Sequence, residues 1–149
     1  MLDSQKKIAI GSDHAGYKFK EYLKDYLDKR RYTVIDFGTG SEESMDYPDP
    51  IHPLADAVNR NEIQKGIIIC GSGNGVAMVA NKYRNVRAAV CWNEEITKLA
   101  RQHNDANIIS LPARYISSEQ ALRFVEIFLD TDFEGGRHLR RVEKISQIL

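Results

Sequence analysis

Residues 66–75 read GIIICGSGNG, and the fold is decided by how this stretch is taken. Three isoleucines run into Cys70, after which glycine occupies every second position. A continuous apolar run bounded by turn residues is a strand buried on both faces, as in a parallel sheet. The glycines let the chain turn sharply and leave backbone N–H groups free to face a ligand. A thiol at the carboxyl end of such a strand stands where open α/β sheets bind their ligands.

Working outward, the chain alternates strand and helix. Lys6–Ile10 form a strand followed by GSDHAG. From Ala15 onward, Phe19, Tyr22, Leu23, Tyr26 and Leu27 mark one helical face. Tyr32–Phe37 form a second strand, and the polar connection GTGSEESMDYPDP follows. A helix containing Leu54–Val58 is expected to open near Pro53, because proline suits a first turn. After the third strand, Ile67–Cys70, a short helix covers Val76–Asn81 and a fourth strand covers Val86–Cys91. Asn93 caps a helix running to Gln102, with Glu94 and Glu95 in its first turn. Ala106–Leu111 form the fifth strand, and Ser117 with Gln120 form a capping box for a helix ending at Leu129. A last helix, His138–Ile148, carries Leu139, Val142, Ile145 and Ile148 on one stripe, available to this subunit or to a partner. Five strands alternating with helices predict right-handed parallel crossovers. The expected fold is a three-layer α/β/α sandwich around a five-stranded parallel Rossmann-like sheet, with residues 1–149 forming one domain.

Composition narrows the partners. The chain of 149 residues has 21 basic and 21 acidic side chains, a net charge of zero. Neutrality gives no general pull toward nucleic acid or an anionic membrane. No apolar run approaches the roughly 20 residues that span a bilayer. The opening MLDSQKKIAIGSD has too short an apolar stretch for a signal peptide. Cys70 and Cys91, the two cysteines, both end apolar runs, which suits a reducing cytoplasm better than a disulfide framework.

The glycine turn excludes two familiar sites. A dinucleotide fingerprint needs glycine where Val76 stands and belongs after the first strand, and no Gly-Lys-Ser/Thr follows for a Walker loop. An anion hole built from N–H groups of Gly71–Gly75 remains, beside the plainer reading of a tight turn needing small residues. Cys70 is either an inert buried thiol or a nucleophile or base beside a helix N-terminus. Cys91 lacks the turn and is taken as structural. Asp13 and His14 follow the first strand, at the same sheet edge as Cys70, although Asp13 also suits a helix cap. His103 lies at a helix end, where an imidazole also serves as a dipole partner. Arg137 and Arg141 are four apart on one helix face, a fork suited to phosphate. No metal is expected, because His14, His52, His103 and His138 show no close ligand spacing and no cysteine pair lies two apart.

GSDHAG, DYPD, CGSGNG with VANK, RQHNDAN and FEGGRHLRRV together resemble the type B ribose-5-phosphate isomerases, in order and over essentially the whole chain. The same superfamily includes galactose-6-phosphate and allose-6-phosphate isomerases. The resemblance implies a cofactor-independent aldose–ketose isomerase working through a cis-enediolate, with a sugar phosphate as substrate. It implies Cys70 as the base and His103 as the ring-opening acid. Another branch of the family has serine in place of that cysteine and a glutamate in the next helix; here the matching position is Val76, which leaves Cys70. Further implied contacts are Asp13 with sugar hydroxyls, Gly71, Ser72, Gly73, Asn74 and Gly75 in the anion hole, Tyr47 lining the site and Asn104 as a binding amide. His14, Arg114, Arg137 and Arg141 match the phosphate set. The expected protein is cytoplasmic, a homodimer or homotetramer with active sites at the subunit interface, the C-terminal helix serving dimerisation. The related alternatives are an isomerase of a six-carbon sugar phosphate and a non-catalytic sugar-phosphate-binding module.

Overall fold

β3 (Lys65–Cys70) lies in the middle of the sheet, paired with β1 (Lys7–Ser12) on one side and β5 (Ile108–Pro112) on the other. β2 (Thr33–Asp36) flanks β1, β4 (Ala88–Val90) flanks β5, and all four pairings are parallel. This is the expected five-stranded α/β sheet, here in a computed structural model that describes residues 6–148. The first five residues of the N-terminal segment read above therefore lie outside the described residues. The chain runs outward from β1 to β2 and then returns to the other side of β1 for β3. Such a switch point opens a crevice at the carboxyl ends of the two strands, here Ser12 and Cys70.

Side chains of β3 alternate between two cores. Ile67 and Ile69 pack with Leu23, Leu27, Phe124 and Phe128, from α1 (Tyr17–Lys29) and α5 (Ser118–Asp130). Ile68 and Cys70 pack with Leu54, Ala55 and Val76, from α2 (Pro48–Asn59) and α3 (Asn74–Ala80). The three isoleucines are fully buried, each contributing about 1.5–3 kcal/mol by leaving water.

Local signals hold where a side chain caps a helix. Asn93 accepts from Ile96 N at the start of α4 (Glu94–Gln102), and the reciprocal Ser117–Gln120 box opens α5. Three expectations are corrected. α2 starts at Pro48, not near Pro53, because the missing N–H groups of Pro48 and Pro50 fall in the first turn, where they have no helical partner to lose. Pro53 then lies inside α2. β4 shrinks from Val86–Cys91 to Ala88–Val90, an edge strand with a neighbour on one side only. The last helix, α6 (Arg137–Ile145), stops before Ile148 and buries no residue; Leu139 and Ile145 are about half exposed, at 47% and 56%. No helix among the described residues is long and apolar enough to cross a membrane.

Candidate active site

β1 and β3 set the geometry around Cys70. Their register places Ser12 opposite Ile69, and the Asp13 N–H donates to Ile69 O at 3.2 Å, bringing Asp13 beside Cys70. The Asp13 carboxylate accepts from Gly16 N at 3.1 Å, so the capping role that its sequence allows is real. Both Cys70 and Asp13 are buried, at 6% and 8% exposure, yet both line a hollow of about 360 Å³ with Tyr47, Gly71, Ser72, Gly75, Arg114 and Tyr115.

Beyond Cys70 the chain reverses through Gly73, whose φ of +76° is a left-handed conformation that favours glycine. This turn sends the Gly73 N–H back to the Cys70 sulfur at 3.2 Å. The Ser110 hydroxyl, buried in β5, donates to Gly73 O at 2.6 Å and locks the turn. Arg114 N donates to Gly71 O at 3.0 Å, which ties the loop after β5 to the same turn. At Gly75 a Cβ would fall 2.6 Å from the Tyr47 ring, so the absent side chain is what lets that ring close over the turn.

The expected anion hole is narrower than the five-residue stretch. Gly73 N is engaged with the sulfur and Asn74 N donates to Ser72 Oγ at 3.2 Å. Among the described residues, the N–H groups of Gly71, Ser72 and Gly75 make no hydrogen bond, so they are the donors of this stretch left for an oxyanion. His14 accepts from Met45 N at its Nδ1, 3.3 Å away, which in the neutral ring leaves the proton on Nε2 as a donor. Val76 is fully buried and offers no alternative base. Cys91 is fully buried, and burial pushes its thiol up to about 11, against the Thr97 hydrogen bond.

His103, Asn104, Arg137 and Arg141 form a different group. His103 caps the carboxyl end of α4, and the turn into β5 lies at the amino edge of the sheet, opposite Cys70. A six-residue strand separates the two edges by roughly 20 Å. The His103 ring stacks on His138 with centroids 4.2 Å apart and planes 13° from parallel. Both Nε2 atoms face Glu134 Oε1, at 3.7 Å from His103 and 3.5 Å from His138. Lost hydration and the charges of His103, Arg137 and Arg141 hold His138 below the ordinary imidazole value, with Glu134 opposing them. Arg137 and Arg141 lie one turn apart on α6, where Arg141 Nη1 donates to Arg137 O at 3.3 Å. Asn104 lines a separate hollow of about 460 Å³ under the end of α6, near Ile145 and Ile148. The sequence-predicted residues therefore fall into two separate groups, Asp13, His14, Tyr47, Cys70, the turn and Arg114 at one edge, His103, Asn104, Arg137 and Arg141 at the other.

Ser110, Tyr115 and Glu134 are not singled out by the sequence reading, and His138 enters it only as a helix start and an excluded metal ligand. Ser110 had a signal, since a hydroxyl inside a buried strand must find a partner. Tyr115 and Glu134 have none beyond their neighbours, and the linear spacing of His138 hides its approach to His103.

A parallel α/β sheet with a buried thiol and a glycine turn at its switch point belongs to the broad doubly wound class, which binds ligands at that place. The ribose/galactose isomerase family model matches residues 8–145, and the chain belongs to that family. It is 43% identical to ribose-5-phosphate isomerase B of Escherichia coli strain K12, over 96% of each chain. It is 41% identical to a D-erythrulose-4-phosphate isomerase of Pectobacterium atrosepticum, over 93% of this chain and 91% of the relative. Its fold matches ribose-5-phosphate isomerase B of Mycoplasma genitalium with bound ribulose-5-phosphate, with a TM-score of 0.91 and 40% identity, over 94% of this chain and 93% of the other.

Proposed function

We propose that this chain interconverts D-ribose 5-phosphate and D-ribulose 5-phosphate, a step of the non-oxidative pentose phosphate pathway, with Cys70 as the base. The observation that carries this is the Cys70 sulfur, held under the Gly73 N–H in a hollow it shares with Asp13, Tyr47 and Arg114, in a chain of this family. The Gly73 N–H donates to that sulfur at 3.2 Å, and the first turn of α3 begins beside it.

The steps balance without a cofactor. His103 protonates the ring oxygen while Asp13 accepts the anomeric hydroxyl proton, releasing the open-chain aldehyde. The Cys70 thiolate takes the proton from C2, and the electron pair moves into the C1–C2 bond as charge develops on O1. The free N–H groups of Gly71, Ser72 and Gly75 are the donors left to meet that charge, typically the largest contribution in such chemistry. Cys70 returns the proton to C1, and the O2 proton passes to O1, giving the ketose. Phosphate binding by His14, Arg114, Arg137 and Arg141 holds the short sugar in line with the base.

Because His103 and Cys70 occupy opposite edges of one sheet, the complete site joins the Cys70 half of one copy to the His103 half of another. That makes the working form at least a dimer, with the exposed stripe of α6 a natural part of the contact. We place the protein in the cytoplasm on its cysteine pattern and its substrate.

A second reading has one observation behind it, the D-erythrulose-4-phosphate isomerase among the relatives. The deciding experiment compares kcat/KM for ribose 5-phosphate, erythrulose 4-phosphate, allose 6-phosphate and galactose 6-phosphate. Highest efficiency on ribose 5-phosphate, with deuterium from solvent entering C2 of recovered substrate, is the expected result. A preference for another sugar reassigns the substrate, and no turnover on any of them leaves a binding module.

A further inference from the structure

We infer that His103, Glu134 and His138 form a binding site for a single divalent transition-metal ion of the zinc type. One donor atom from each side chain lies within 4.8 Å of the others, and His, His and carboxylate are the ligand set of an open zinc site. In a tetrahedral shell with bonds of about 2.0–2.1 Å, neighbouring donors stand roughly 3.3 Å apart. Glu134 Oε1 is already 3.5 Å from one Nε2 and 3.7 Å from the other. The rings are stacked 13° from parallel, so one imidazole must turn out of the stack to bring both Nε2 lone pairs onto the ion; three corners are then filled and the fourth is left to water.

The site is built by backbone contacts. Glu134 N donates to Gln102 O at 3.0 Å, fixing the Glu134 loop against the end of α4 that carries His103. Gly135 and Gly136, both at positive φ, then turn the chain so that α6 delivers His138 onto His103. No hydrogen bond holds Nδ1 of either ring among the described residues. Each neutral ring is free to carry its proton there and present the Nε2 lone pair to an ion. The linear spacing of the histidines conceals this, because the two that meet stand 35 positions apart (138 − 103 = 35). Arg137 and Arg141 on the same helix oppose a cation, which sets the expected affinity in the micromolar range rather than the nanomolar range of a buried structural site.

The consequence for turnover rests on the isomerase reading above: an ion on His103 occupies the ring-opening acid and competes with sugar phosphate. The test for the site itself is cobalt(II) titration of the full chain, read by visible absorption, with zinc displacement by calorimetry. One ion per chain is expected, with a tetrahedral cobalt spectrum and no sulfur-to-cobalt band. Affinity should fall about tenfold or more in both Glu134→Gln and His138→Gln and stay unchanged in Cys70→Ala. Non-saturating binding, a sulfur band lost in Cys70→Ala, or unchanged affinity in the two former variants overturns the site. If cobalt binds as stated while zinc leaves the KM for ribose 5-phosphate unchanged, the metal site stands and the placement of His103 in the isomerase site falls.

Discussion

At the carboxyl edge of the sheet the groups around Cys70 are held by backbone: two strand ends, one left-handed glycine and a chain reversal locked by Ser110. At the amino edge His103 and its neighbours hang from helix ends and a loop, with His103 40% and Glu134 49% exposed. The first edge is fixed by backbone, with Cys70 and Asp13 buried at the base of an open hollow. The second is more exposed and is held by side chains rather than by backbone. A reaction that needs a fixed base and anion hole, but only a proton donor and a phosphate clamp around them, is suited to that division.

The sharpest way to break this comparison is to remove one chemical group from each edge. Cys70→Ala should lower kcat by about 10³-fold or more, while binding of a non-reactive sugar phosphate, followed by calorimetry, changes little. Wild-type turnover in that variant would end the base assignment. His103→Asn should cost about 10²-fold on cyclic ribose 5-phosphate and much less on an open-chain analogue. Mixing the two inactive variants after unfolding and refolding them together should restore activity, because mixed assemblies then contain an intact pairing of the two edges. No recovery would mean that His103 serves no site containing another copy's Cys70.

Much of the carboxyl edge was legible in the chain. An apolar run ending in Cys70 and a glycine turn encode position directly, because a strand-to-helix turn in a parallel sheet always falls at the carboxyl edge. The same logic places His103: RQHNDAN joins a helix to a strand, so it belongs at the amino edge, away from Cys70. That opposition was available from the element order, and motif content obscured it. The approach of Glu134 and His138 to His103 was not legible, since it depends on two glycines at positive φ and on where α6 docks. The start of α2 is not fixed by local sequence, because Pro48, Pro50 and Pro53 each fit a first turn and only tertiary packing chooses among them.

A subtler probe asks whether the carboxyl edge depends on close approach as well as on chemistry. Gly75→Ala places a methyl 2.6 Å from the Tyr47 ring, which must swing outward. Since Tyr47 is 40% exposed it can move, so the fold should survive with an unchanged melting temperature. The hollow loses a wall, and kcat/KM should fall by about tenfold. An unchanged rate would remove Tyr47 from the site.

The smallest effect reaches the same edge through its support. Lys20, 1% exposed, pairs with Asp36 at 2.7 Å and Glu21 at 2.9 Å, while Asp36 also accepts from Gly38 N and Gly38 O accepts from Ser12 N. The end of β1 that carries Asp13 is thus tied to an ion pair. Burial works against ionisation of Asp36, but the Lys20 and Lys24 hydrogen bonds and the Gly38 N–H together hold its carboxyl below the usual range. A carboxylate with a lowered folded-state pKa contributes stability above its unfolded value, near 4, and loses it as pH falls through the folded value. Asp36→Asn should therefore cost about 1 kcal/mol in urea unfolding at pH 7, a modest amount because Glu21 still faces Lys20. The gap between variant and wild type should close as the pH is lowered from 5 toward 3. A gap independent of pH would show that the charge of Asp36 is not what secures this edge, and would leave its hydrogen bond to Gly38 as the anchor.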